Sequence, residues 1–104
     1  MLLLEDSDHA ALREHHRLAL DEGRALWVSF AETPDPTAPR VTFVLALRIH
    51  ESEAAARASA QGDGDWAGVD AMGRMTRVWG RVRDDGGIEA RGVVTRDARG
   101  DLRA

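Results

Sequence analysis

The segment from residue 75 to residue 95 constrains this chain most. Two stretches with alternating side chains, 75–83 and 88–95, flank Asp84-Asp85-Gly86-Gly87. Glycine reaches the positive φ angles that a tight reversal needs, so this pattern predicts a β-hairpin. A hairpin cannot bury its own apolar side. The rest of the chain must supply further strands and a covering layer.

Further strands are easy to find. Residues 25–31 (Ala-Leu-Trp-Val-Ser-Phe-Ala) place Leu26, Val28 and Phe30 on one side and Trp27 and Ser29 on the other. Residues 41–49 form the most apolar run, with both faces fit for burial, and read as a central strand. All three prolines fall in 33–39, which predicts an exposed connection between these two strands. Residues 66–71 are expected to form a brief strand before a turn at Met72-Gly73.

Two segments have helical character. Residues 8–22 carry an inner stripe of Ala11, Leu12, His15, Leu18 and Ala19, with Asp6 or Ser7 placed to cap the start and Gly23 to end it. Residues 51–60 are rich in alanine but lack large apolar side chains, so a short helix that buries little is expected there. The expected architecture is α+β: an N-terminal helix packed on an antiparallel sheet of four to five strands, open or closed into a small barrel, with a short weak helix between strand pairs. One domain over residues 1–97 and a frayed polar tail over 98–104 complete this reading.

Composition removes several chemistries. Among the 104 residues there is no cysteine, lysine, tyrosine or asparagine, and all 14 basic residues are arginine. Disulfides, thiolate nucleophiles, cysteine metal sites and Schiff-base lysines are therefore excluded. Uniform arginine usage fits the codon bias of a GC-rich genome. The absence of cysteine fits a reducing cytoplasm, and no apolar run is long enough for a signal peptide or a membrane span.

Charge is unevenly distributed. Residues 1–73 carry six arginines against thirteen acids, whereas residues 74–104 carry eight arginines against five acids. On the strand 75–83 a period of two gathers Arg77, Trp79, Arg81 and Arg83 on one face, opposite Thr76, Val78 and Val82. Guanidiniums interleaved with an indole suit phosphates, carboxylates and stacked bases. The more ordinary arrangement of the same residues covers Trp79 with arginine stems and pairs them with Glu89, Asp84 or Asp85 across the hairpin.

Other constellations are weaker. His9 and His16 stand seven residues apart, not at the i, i+4 spacing that brings two imidazoles to one metal, and His15 is expected to edge the core. Asp63-Gly64-Asp65 has Ala67 and Arg74 where a calcium loop needs oxygen ligands, so it reads as a turn. His50 with Glu51 or Glu53 is the best acid/base group, although acids also suit the first turn of a helix. Ser29 lies within a strand, without the sharp turn that exposes a serine nucleophile. No phosphate-binding glycine loop is present, and neither a metal nor a cofactor is expected.

The order of elements, a helix ending in Glu22-Gly23-Arg24, the strand 25–30, the run 40–49 and then Ala-Gly-Val-Asp-Ala-Met-Gly-Arg-Met-Thr-Arg-Val-Trp-Gly-Arg-Val over 67–82, resembles WYL-type, Sm-like barrel domains. That resemblance implies a five-stranded barrel after one helix, in a family associated with regulation and with nucleic-acid-like ligands. The Trp-Tyr-Leu triplet itself does not occur, and no functional residue is carried over.

These readings lead to a non-enzymatic binding or regulatory module that uses the face of Arg77, Trp79, Arg81 and Arg83 to meet an acidic partner, protein or nucleic acid, with no membrane contact. The alternatives are a structural protein that associates with itself, such as a homodimer, and a small enzyme using His50 with Glu51 or Glu53.

Overall fold

The computed structural model describes residues 2–62, 66, 76–96 and 102–103. Its elements are β1 (Leu2–Leu4), α1 (Asp6–Asp21), β2 (Leu26–Asp35), β3 (Ala38–His50), α2 (Glu53–Gln61), β4 (Thr76–Val82), β5 (Ile88–Arg96) and β6 (Leu102–Arg103). The fold is α+β, with its strands in one sheet in the order β1-β3-β2-β4-β5-β6. β1 and β6 stand at opposite edges. The strand expected over 66–71, the turn at Met72-Gly73 and the Asp63-Gly64-Asp65 segment lie outside the described residues, Trp66 excepted.

The sheet is mixed rather than wholly antiparallel. Leu2–Leu4 pairs in parallel with Thr42, Phe43 and Val44 of β3, which the chain reaches from β1 by way of α1 and β2. Three apolar residues at the start of a sequence carry no visible period, so this strand was not anticipated. Leu4 packs on the core, while Leu2 and Leu3 remain exposed.

Proline does not stop the β2–β3 hairpin. Both strands extend through it, with Pro34 opposite Thr42 and the reversal at Pro36-Thr37. β4 pairs with β2 only as far as Glu32, so Pro34 lies beyond that ladder, where its missing N–H costs nothing on this side. Asp35 fixes the turn: its Oδ1 accepts from the Thr37 N–H and the Thr37 hydroxyl, each at 2.8 Å.

Two β-bulges decide which side chains face which way. On β3, Ser29 pairs with Arg48 but Ala31 pairs with Leu45, and Ala46 absorbs the extra residue at φ 54°. The expected single stripe of Val41, Phe43, Leu45, Leu47 and Ile49 is therefore broken: Leu47 and Ile49 share the core face with Val44. On β5, Trp79 pairs with Gly92 and Gly80 with Ala90, which leaves Arg91 as the extra residue.

Each face of the sheet receives one helix. Leu12 and Ala19 of α1 pack with Leu26, Val28, Phe30, Val44, Val78 and Val82 to make the larger core. The inner stripe of α1 is narrower than the sequence suggests, with Leu18 exposed. His16 takes the half-buried place expected for His15, whose Nδ1–H instead donates to the Ala11 carbonyl at 2.9 Å. The opposite face is covered by α2, where Ala56 and Ala60 are completely buried against Trp79, Val94 and Trp27. Small side chains let this helix approach closely at Ala56 and Ala60, while most of its other residues stay exposed, so it buries little of its own surface.

Two glycines at the β4–β5 bulge allow close approach, one of the Trp79 indole and one of the β5 backbone. A Cβ at Gly92 would run into the Trp79 indole, and one at Gly80 would collide with the Glu89 carbonyl. Gly92→Ala and Gly80→Ala are each expected to lower stability by about 1–3 kcal/mol, the usual cost of overpacking. Urea denaturation followed by tryptophan fluorescence measures this, and an unchanged midpoint would show that the backbone yields.

Candidate functional site

The four residues singled out from the hairpin do share a face, but not one environment. β4 pairs with β2 so that Arg77 lies opposite Ala31, Trp79 opposite Ser29 and Arg81 opposite Trp27. Arg77 is 2% exposed and Trp79 9%, both beneath α2, whereas Arg81 is half-buried and Arg83 exposed. The strand thus runs from a covered end to an open one.

At the covered end, Arg77 closes the C-terminus of α2. Its Nη1 donates to the carbonyls of Ala60 at 3.2 Å and Gly62 at 2.6 Å. The Trp66 indole N–H donates to the Ser59 carbonyl at 2.6 Å, so a third terminal acceptor is satisfied by a side chain. The last carbonyls of a helix carry partial negative charge and have no partner within it, which makes a guanidinium an apt cap. Trp66 is fully buried and has two cations close to its ring: the Arg48 guanidinium carbon is 4.2 Å from the ring centroid and that of Arg77 is 5.2 Å away.

Beside this cap is a polar link that the sequence did not reveal. Ser29 Oγ lies 2.8 Å from His50 Nε2 and 2.9 Å from Ser59 Oγ, joining β2, β3 and α2. A serine bonded to a histidine is the pairing of a nucleophile with its base. Here the serine has no exposed surface, and its hydroxyl is engaged on both sides. Burial first, and then the charge of Arg48, lower the His50 pKa from its usual value. The partner of His50 is thus Ser29 rather than Glu51 or Glu53. The arrangement acts as a clamp between sheet and helix.

At the open end, Trp27 is half-buried and packs against the cluster under α2. The Arg91 guanidinium sits 5.9 Å from its ring centroid and pairs with Glu89 at 3.2 Å. Arg81, cross-strand from both Trp27 and Glu89, has its Nε shut from solvent with no hydrogen-bond partner among the described residues. Arg83 pairs with Asp85 at 3.3 Å on the surface. Trp27 and Arg91 were missed as members of this group. The β2 period had put Trp27 on the side opposite the core, but Arg91 reaches it only through the bulge.

No group of three or more His, Cys, Asp or Glu residues among the described residues is placed to hold a metal ion. Nor is any described helix long and apolar enough to cross a membrane. No family model, curated protein or solved structure matches the chain. The resemblance to WYL-type domains therefore rests on the order of elements alone, and the function has to be argued from the residues themselves.

The contrast between the two ends can be measured. Arg77→Ala removes hydrogen bonds from a charged, buried donor and should cost about 2–3 kcal/mol, whereas Arg83→Ala should leave the unfolding midpoint unchanged. Equal effects in thermal melts would contradict this division.

His50 gives the clamp a pH dependence. Because its pKa is lower folded than unfolded, its contribution is fully present above the unfolded pKa of about 6.5 and is lost as pH falls through the folded value. Stability measured by urea titration should drop on acidification below that point, and His50→Gln should flatten this part of the profile. An identical profile in the variant would assign the effect elsewhere.

Proposed function

We propose that the chain is a non-enzymatic, cytoplasmic binding module that meets an acidic protein segment at the open end of the α2-covered face, through Arg81, Arg83, Arg91 and Trp27. The observation that carries this reading is Arg81. A guanidinium N–H excluded from water without an acceptor costs roughly 1–3 kcal/mol, and Arg81 has Trp27 across from it on one strand and, on the other, Glu89, whose carboxylate is paired with Arg91. A carboxylate from a partner, bonding the guanidinium, would add the charge that this position lacks.

Two features favour an acidic protein over nucleic acid. Arg91 already covers a face of Trp27, the place where a base would stack. The net charge of -4 also opposes a long polyanion, while a short acidic segment meets only the local cationic end. Self-association remains the competing reading, and the exposed Leu2 and Leu3 on the edge strand β1 favour it.

Fluorescence anisotropy with a labelled Asp/Glu-rich peptide and a labelled oligothymidine distinguishes these cases. The proposal expects salt-sensitive peptide binding that Arg81→Gln weakens by about tenfold, while Arg40→Gln, beyond the reach of β4, leaves it unchanged. Tighter binding to the oligonucleotide, or peptide binding indifferent to Arg81→Gln, would reject it. A dimer by sedimentation with no peptide binding would favour self-association.

A further inference from the structure

A cleft lies on the α1 side of the sheet, between α1 and the β4–β5 turn. Positions 9, 12, 13 and 16 fall along one side of a helix, and here His9, Leu12, Arg13 and His16 form one wall of a cleft of about 260 Å³. Asp85 and Gly86 form the other wall. The turn is well fixed: the Arg83 N–H donates to the Gly87 carbonyl at 2.7 Å, and Asp85 Oδ1 accepts from the Gly87 N–H at 2.8 Å. Gly86 has φ 87°, and a Cβ there would stand 3.8 Å from His16 Nδ1, so the left-handed glycine brings the turn close beside that ring.

The two walls carry opposite charge. The side chains of Arg13 and His9 make no hydrogen bond or ion pair among the described residues, and the Arg13 guanidinium gives the helix wall its positive charge. Across from them, the Gly87 N–H bond and the nearby Arg83 hold the Asp85 carboxyl below its ordinary pKa, so it is ionised. His16 Nε2 is shut away with no partner among the described residues, and Nδ1 is the ring nitrogen turned towards Gly86. Leu12, 6% exposed, gives the cleft an apolar floor.

We propose that this cleft binds a small zwitterion of the α-amino-acid class, with its carboxylate towards Arg13 and His9 and its ammonium towards Asp85. A simple anion would meet the Asp85 carboxylate, and a simple cation would meet the Arg13 guanidinium. A ligand carrying both charges on neighbouring atoms satisfies both walls at once. The volume equals that of roughly nine waters, enough for a small amino acid and too little for a nucleotide.

NMR titration of the full chain tests this with three probes at neutral pH: alanine, acetate and methylammonium. Alanine is expected to shift the Asp85 and Gly86 amides and the His9 and His16 rings saturably, with acetate and methylammonium each weaker by at least about tenfold. Arg13→Gln and Asp85→Asn should each weaken alanine by a similar factor at an unchanged melting temperature, since asparagine still accepts from Gly87. Acetate or methylammonium binding as tightly as alanine, alanine binding untouched by both variants, or no saturable shift with any probe would overturn the proposal.

Discussion

A guanidinium buried within a sheet must be answered by acceptors that cannot leave. In this chain they are the terminal carbonyls of α2, which Arg77 gathers while Trp66 takes a third. Much of the α2-covered face follows from that. The helix is drawn down until Ala56 and Ala60 touch Trp79, Ser59 comes within reach of Ser29, and the strand face that seemed a single cationic stripe is divided into a covered half and an open half. The buried charge is thereby both a helix cap and the tie between two layers.

The bulges do the complementary work. Without Ala46 as an extra residue, Leu47 and Ile49 could not share a face with Val44, and the apolar side of β3 would be split between the two helices. Without Arg91 as an extra residue, Glu89 and Gly92 could not both meet the α2-covered face, opposite Arg81 and Trp79. One inserted residue therefore gives the indole the glycine beneath it and also brings an arginine onto the neighbouring tryptophan.

These features differ in how far the sequence exposes them. Strand positions around Leu26, Val28, Phe30, Val78 and Val82 are legible because a period of two needs only local alternation. The β4–β5 turn is legible from its own residues, although Gly86 alone of its two glycines takes a positive φ. The β3 faces are not legible, because a bulge at an alanine leaves no compositional mark. Arg77 carries the same pattern whether its partner is a ligand or a helix end, and the deciding carbonyls lie 15 and 17 residues away in sequence. The Ser29–His50–Ser59 link likewise joins residues that no motif connects.

The two helices are held by unlike chemistry, and this has a consequence for the order in which the fold comes apart. α1 rests on an apolar core whose strength follows buried area and responds little to pH or salt. α2 adds directional bonds to its apolar contacts: a guanidinium on its terminal carbonyls, an indole N–H on the Ser59 carbonyl, and the Ser59 hydroxyl on Ser29, which also meets His50. Directional bonds fail together once their geometry is lost. Trp79 and Arg77 are thus the side chains that lifting of the α2 layer alone would bare, with the apolar core under α1 still packed.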